Sequence, residues 1–391
     1  MELRAEFVQL ADQPGANMSR LCRRYGISRP TGYKWLRRYR QEGLDGLVDR
    51  SRRPSCSPNK TPDHIEALII QARQRFPGWG GRKLRRWIRN KIDQGTFGLS
   101  AKQLPAPSTI TRILDRHGLL SDSTTGRGQK IYQRFERARP NQLWQLDFKG
   151  EFRLASGPKC YPLTVVDDHS RFNVILEACK NQQRTTVQGH LAAAFGRYGL
   201  PEAILCDNGP PWGAGLGWSR QGPYYTGLAA WMMRLGITVI YARPGQPQTK
   251  GKNERFNGTL QAELLNYRQL SGWSDARRQF RRWRRIYNTE RPHQALEMQT
   301  PASRYQPSSI ALPSELPAIR YGPDDTLRKV NKEGRIRFRA SGYGVGKAFK
   351  GQQVALRPET DPGTWKVYFC HQHIRTIHLP PESVKDLPEQ V

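Results

Sequence analysis

Between residues 141 and 243 the chain runs through apolar segments in an order that few folds accept. "NQLWQLDFKGEF" (141–152), "KCYPLTVVDDHSR" (159–171) and "FNVILEACK" (172–180) read as three consecutive strands joined by short turns. "QRTTVQGHLAAAFGRYG" then reads as a helix, "EAILCD" as a buried strand, "YYTGLAAWMMRLG" as a helix and "TVIYAR" as a strand. Three strands followed by alternating helix and strand predict a mixed α/β sheet. "GQPQTKGKNERFNGTL" (245–260) supplies the next helix, with Phe256, Leu260 and Leu264 as its apolar stripe. "SDARRQFRRWRRIYNTE" is a further helix, striped by Phe280, Trp283 and Tyr287, whose six arginines are either DNA contacts or a solvated face.

The flanks are organised differently. Residues 1–50 read as three short helices. The third has Ser28 as N-cap and Pro30 in its first turn. A short helix, a turn at Gly26 and a basic aromatic helix make a helix-turn-helix pattern. It places Arg29, Thr31, Tyr33, Lys34 and Arg37 on or near a face that would enter the major groove. An ordinary three-helix bundle with a solvated basic face is the alternative. Residues 51–62 form a Pro-, Ser- and Arg-rich linker, and residues 63–120 repeat the helical theme. In this second unit Ser108 is the expected N-cap, with Ser108, Thr109, Thr111 and Arg112 as DNA-contact candidates. Residues 121–139 are a polar, basic linker to the α/β core of 140–301. A second Pro- and Ser-rich linker, 302–320, leads to short strands over 321–380 that predict a small β-barrel.

Charge narrows the partner. The chain carries 64 Lys/Arg against 33 Asp/Glu, a net +31, spread through all three regions rather than held in one tail. A polyanion is the expected partner. Ten Trp and fifteen Tyr argue against a disordered polycation. No apolar run approaches the ~18 residues of a membrane span. The start lacks the apolar region of a secretory signal. Six cysteines without a CxxC pair suit reduced thiols, a cytoplasmic location and no zinc site.

Three carboxylates stand where such a sheet would gather them. Asp147 interrupts an apolar strand, where a lone charge is costly. Asp207 ends a strand and enters "NGPPW"; Glu254 lies on the helix after the last core strand. Singly, Asp147 could pair with a basic neighbour, Asp207 could form a turn, and Glu254 could pair with Lys250 four residues away. Together they form a hard-oxygen set suited to two divalent cations and in-line phosphoryl displacement. Asp167 and Asp168 are rivals that read as structural. On a helical projection Gly251 and Gly258 leave Glu254 accessible, and Lys250, Lys252, Arg255 and Asn257 read as contacts to a DNA backbone.

The strings "WQLDFKG", "VDDHSR", "CDNGPPW", "PGQPQTKGKNERFNGTL" and "YNTERPHQALEMQTPASRY" resemble the DDE transposase/integrase family. The resemblance is greatest to bacterial insertion-sequence transposases of the IS481 type, relatives of the IS3 group and of retroviral integrases. It implies an RNase H-like core behind tandem helix-turn-helix units. It also implies a Mg²⁺- or Mn²⁺-dependent enzyme, with two ions per site, that cleaves the element's terminal inverted repeats and joins the freed 3′-hydroxyl to target DNA. Asp147, Asp207 and Glu254 fall on the family's catalytic triad, and a homo-multimer on paired ends is implied. Two departures stand out. No His-His-Cys-Cys zinc set precedes the core, which favours the transposase branch. The 46 residues between Asp207 and Glu254 exceed the spacing of retroviral integrases, and the excess is placed in a loop, "GAGLGWSRQGPYY". A regulator that has lost its chemistry, and a nuclease acting on RNA–DNA hybrids, are the alternatives.

Overall fold

The computed structural model describes residues 2–50, 60–120, 136–219, 222–242 and 251–379. The chain divides into two compact units, Met1–Thr61 and Pro62–Val391. The first unit holds α1 (Glu2–Ala11), α2 (Met18–Arg24) and α3 (Arg29–Glu42). Phe7, Val8, Cys22, Leu36 and Leu47 form its core. The helices meet at Gly32, where a Cβ would lie 2.6 Å from the Cys22 sulfur and 2.9 Å from the Phe7 ring. Ser28 caps α3, its hydroxyl accepting from the Thr31 N–H at 3.4 Å. Arg29, Tyr33, Lys34 and Arg37 are exposed and Thr31 is half-buried.

The second unit opens with α4 (Asp63–Arg75), α5 (Gly81–Asp93) and α6 (Pro107–Arg116). These close over Ile65, Ile69, Leu84, Ile88, Ile110 and Leu114. Ser108 is not the N-cap of α6. Pro107 takes the first helical position, where its missing N–H costs nothing, so Ala106 stands at the cap and Ser108 lies inside the first turn. Ser108, Thr111 and Arg112 are exposed and Thr109 half-buried. The Thr111 hydroxyl turns back to donate to the Pro107 carbonyl at 3.0 Å.

The core sheet has β1 (Trp144–Phe148), β2 (Phe152–Arg153), β3 (Lys159–Asp167), β4 (Asn173–Cys179), β5 (Ala203–Cys206) and β8 (Thr238–Tyr241). Its order is β4-β3-β1-β5-β8, with β2 also on β3. The β4-β3-β1 part is antiparallel and the β1-β5-β8 part parallel. Short turns allow only the former, whereas the helices α7 (Arg184–Tyr198) and α8 (Gly227–Arg234) provide the crossovers for the latter. Trp144, Leu146 and Val165 pack with Val187, Leu191 and Met232 on one face. Val166, Leu176 and Ala178 pack on the other with α9 (Gly251–Leu260) and α10 (Trp273–Thr289), through Phe256, Leu260, Phe280 and Trp283. This is an RNase H-like sheet. The segment expected as a loop is instead a hairpin, β6 (Gly213–Ser219) with β7 (Gly222–Tyr225). Its glycines hide the alternation that marks a strand.

Beyond the core lie β9 (Thr326–Lys329), β10 (Arg335–Phe338), β11 (Ser341–Gly344), β12 (Gln353–Pro358), β13 (Thr364–Phe369) and β14 (Gln372–His378). The expected small barrel is built as two antiparallel sheets, β14-β13-β12-β9 and the β10-β11 hairpin. Gln372 ties them to the core: its amide accepts from the Val239 N–H and donates to the Val239 carbonyl, both at 2.8 Å. It thereby satisfies the open edge of β8 as another strand would. The Pro- and Ser-rich connection is also pinned to the core, where Ile310 and Tyr198 carbonyls accept from Leu200 and Ser308 at 2.7 Å each. Among the described residues no helix is long and apolar enough to cross a membrane.

Candidate active site

One face of β1 presents Gln145 and Asp147, two residues apart. The Lys149 N–H donates to the Pro162 carbonyl at 3.0 Å, so the β1-β3 ladder continues and Lys149 joins that face. Helix α9 lies along it in three rungs. Asn253 donates its backbone N–H to Gln145 Oε1 at 3.2 Å and its amide to the Gln145 carbonyl at 3.3 Å. Asn257 donates to Asp147 Oδ2 at 3.1 Å. Lys149 donates to Gln261 Oε1 at 2.6 Å. Two residues of strand advance about 6.6 Å and four of helix about 6 Å, so the two elements stay in step. Asn253 is buried at 1% exposure, and the Thr164 hydroxyl lies 3.1 Å from its Oδ1.

Asp207 follows β5. The parallel register pairs Trp144 with Ile204 and Gln145 with Leu205. Carried two residues on, it brings Asp207 level with Asp147 at the carboxyl ends of neighbouring strands, where open α/β sheets place their sites. The turn beyond is fixed by Trp212, which is buried and stacks on Phe148 at 5.4 Å. The Trp212 carbonyl accepts from the hydroxyls of Thr226 and Tyr241 at 2.8 Å each. Glu254 is exposed in the first turn of α9, between the two asparagines that dock the helix.

Among the described residues no three His, Cys, Asp or Glu side chains form a ready-made metal cluster. The candidate donors are Asp147, Asp207 and Glu254. The donors fit a hard divalent ion: all three are carboxylates, without the thiolate or imidazole that selects zinc.

The neighbouring acids are structural. Asp167 accepts from the Asn141 and Ser170 N–H groups at 2.8 Å each, and burial pushes its carboxyl up. Asp168 accepts from Gln145 at 2.9 Å and from the Arg137 N–H at 2.8 Å. Lys252, expected at the DNA backbone, turns inward and pairs with Asp168 at 2.5 Å. Asn257, expected at the same backbone, is half-buried against Asp147. A helical projection of α9 alone omits β1, whose Gln145 and Asp147 pack against this side of the helix. Arg255 is exposed, and Lys250 lies outside the described residues.

Sequence reading missed Glu263, in the π-helical turn Gln261–Leu265 that continues α9. Its nearly buried carboxylate pairs with Arg291 at 2.8 Å and Lys83 at 3.1 Å and accepts from the Trp79 indole at 3.1 Å. Burial pushes the carboxyl up, but the two cations and their hydrogen bonds outweigh it and hold the group below its ordinary range. The "RPH" of "ERPHQAL" supplies Arg291, which was the one available signal.

Family models match along the chain. "Integrase core domain" matches residues 137–247 and again 235–301. "IS481 family transposase, C-terminal domain" matches 325–385. "Helix-turn-helix domain" matches 3–55 and "Homeodomain-like domain" 31–114. An insertion element IS476 protein of Xanthomonas euvesicatoria is 26% identical over 76% of this chain and 82% of its own length. An insertion element IS407 protein of Burkholderia multivorans is 30% identical over 42% of this chain and 54% of its own. The solved catalytic core domain of HTLV-2 integrase with magnesium is 19% identical, covering 43% of this chain and 97% of that one at a TM-score of 0.33. Sheet, helical units and family matches define an integrase-core enzyme carrying helix-turn-helix DNA-binding domains. These matches support a DDE transposase of the IS481/IS3 type, a family whose integrase core depends on a divalent metal.

Proposed function

We propose that this chain is an insertion-sequence transposase that binds its element's terminal inverted repeats, cleaves the ends and joins the 3′-hydroxyl to target DNA. The observation that carries the reading is the strand register that brings Asp147 and Asp207 level, with α9 docked beside Asp147 through Asn253 and Asn257, the residues that flank Glu254. These three residues would hold two Mg²⁺ or Mn²⁺ ions, which when bound supply the activated water and the charge neutralisation that phosphodiester displacement needs. The chain's own contribution is placement. Asn257 orients the Asp147 carboxylate, Asn253 fixes the first turn of α9, and Trp212 braces the turn after Asp207. The exposed faces of α3 and α6 would read the repeats, and two copies or more would pair the ends. The helical units support duplex DNA as substrate over an RNA–DNA hybrid.

The test is joining of a labelled duplex carrying the inverted repeat that borders the coding sequence, with Mg²⁺ or Mn²⁺. Asp147→Asn and Glu254→Gln should abolish cleavage and joining and leave end binding intact. Joining by either variant contradicts the triad.

A further inference from the structure

We infer that Lys149 contacts a phosphate of the DNA strand under attack, as a third rung beside the carboxylates; the inference rests on the transposase reading above. Lys149 shares the β1 face with Asp147, two residues further on, because its N–H keeps the ladder to Pro162. Its ammonium is held at 2.6 Å by the neutral oxygen of Gln261. Among the described residues no carboxylate pairs with it. Among the described residues, two lysines that meet α9 or the turn continuing it are already paired, Lys252 with Asp168 and Lys83 with Glu263. A half-buried ammonium with one neutral partner keeps two N–H donors for another acceptor. Beside carboxylates that take cations, the acceptor that fits is an anionic phosphate oxygen rather than another side chain. Gln261 fixes the lysine's long chain in advance, so its charge is aimed before DNA arrives. No bond to Lys149 forms or breaks; it stabilises charge on the phosphate.

The experiment uses the full chain and the bordering-repeat duplex, with two readouts. Binding in EDTA is titrated against salt, and end cleavage is measured with Mn²⁺. In Lys149→Gln the slope of log K against log salt should shrink by about 0.9, one phosphate contact. Its cleavage should fall by about 10²-fold, the effect of losing one preorganised donor to developing charge. Lys149→Arg, which keeps the charge, should recover the slope and part of the rate. An unchanged slope in Lys149→Gln overturns the contact whatever the cleavage assay gives. A reduced slope with wild-type cleavage moves the contact away from the reacting phosphate and overturns the placement. Asp147→Asn separates the two readings: if it cleaves like wild type, the triad falls, while the slope still decides Lys149.

Discussion

Glu263 and Arg291 form an ion pair at 2.8 Å with side chains only 7% and 9% exposed. The pair joins the helix that carries Glu254 to the segment after α10, and Lys83 and Trp79 extend it to the second helical unit. The second helical unit and the helix that carries Glu254 thus share one buried carboxylate. Glu263→Gln should destabilise the second unit by about 3–5 kcal/mol, because it leaves Arg291 and Lys83 buried without a counter-charge. Urea unfolding measures this; a loss under about 1 kcal/mol would mean that packing alone holds the joint.

His293 gives the fold a pH dependence. Burial, then the neighbouring Arg291 and Lys83, hold its imidazole well below the usual histidine range. The unfolded chain takes up a proton near pH 6.5 that the folded chain refuses. Stability is therefore complete above about pH 7 and falls as the pH drops through 6.5, by at most ~1.4 kcal/mol per unit. Urea midpoints from pH 7.5 to 5.5 should show this decline, and His293→Gln should reduce it, leaving the smaller part due to His371 and His373, which burial also holds low. A wild-type profile that is flat or rises toward pH 5.5 contradicts the buried neutral imidazole.

Asn257 should matter through Asp147. Asn257→Ala removes the 3.1 Å hydrogen bond and should slow cleavage by about 10–100-fold, the usual cost of losing a group that orients a metal ligand. Asn257→Asp should be worse in low metal, since it sets one carboxylate against another. Single-turnover cleavage across a Mn²⁺ series tests both, and wild-type kinetics in Asn257→Ala would remove the residue from the site.

The helix-turn-helix face and the inward lysine make opposite predictions. Lys34→Ala and Arg37→Ala should each weaken DNA binding across sequences and reduce the salt slope by about 1. Lys252→Met should leave that slope unchanged and lower stability, since it strips Asp168 of a buried partner. A reduced slope in Lys252→Met would show that the lysine swings out to meet DNA.

The elements that carry the candidate site are legible in the sequence because charge is conspicuous where apolar residues are required. Asp147 breaks an apolar strand, Asp207 ends one, and the stripe of Phe256, Leu260 and Leu264 is buried as its spacing predicts. Register is not written that way. Nothing local to "WQLDF" or "AILCD" says that the two aspartates stand level; the long crossover through α7 decides it. For the same reason Lys252 and Asn257 looked solvent-facing, since a helical projection lacks the strand packed against it. Glu263 resembled any exposed helical acid, because its partners Lys83 and Arg291 are distant in sequence. The hairpin β6-β7 was hidden by glycines, and the cap of α6 by a proline one residue earlier than the serine.

The triad is tested most directly by end cleavage with the three single variants Asp147→Asn, Asp207→Asn and Glu254→Gln. Each would be tested with Mn²⁺ on the bordering-repeat duplex, beside binding to that duplex. All three variants should bind the duplex as the wild-type chain does, and only the wild-type chain should cleave it, with no cleavage in EDTA. Cleavage by any one variant at the wild-type rate would contradict the triad.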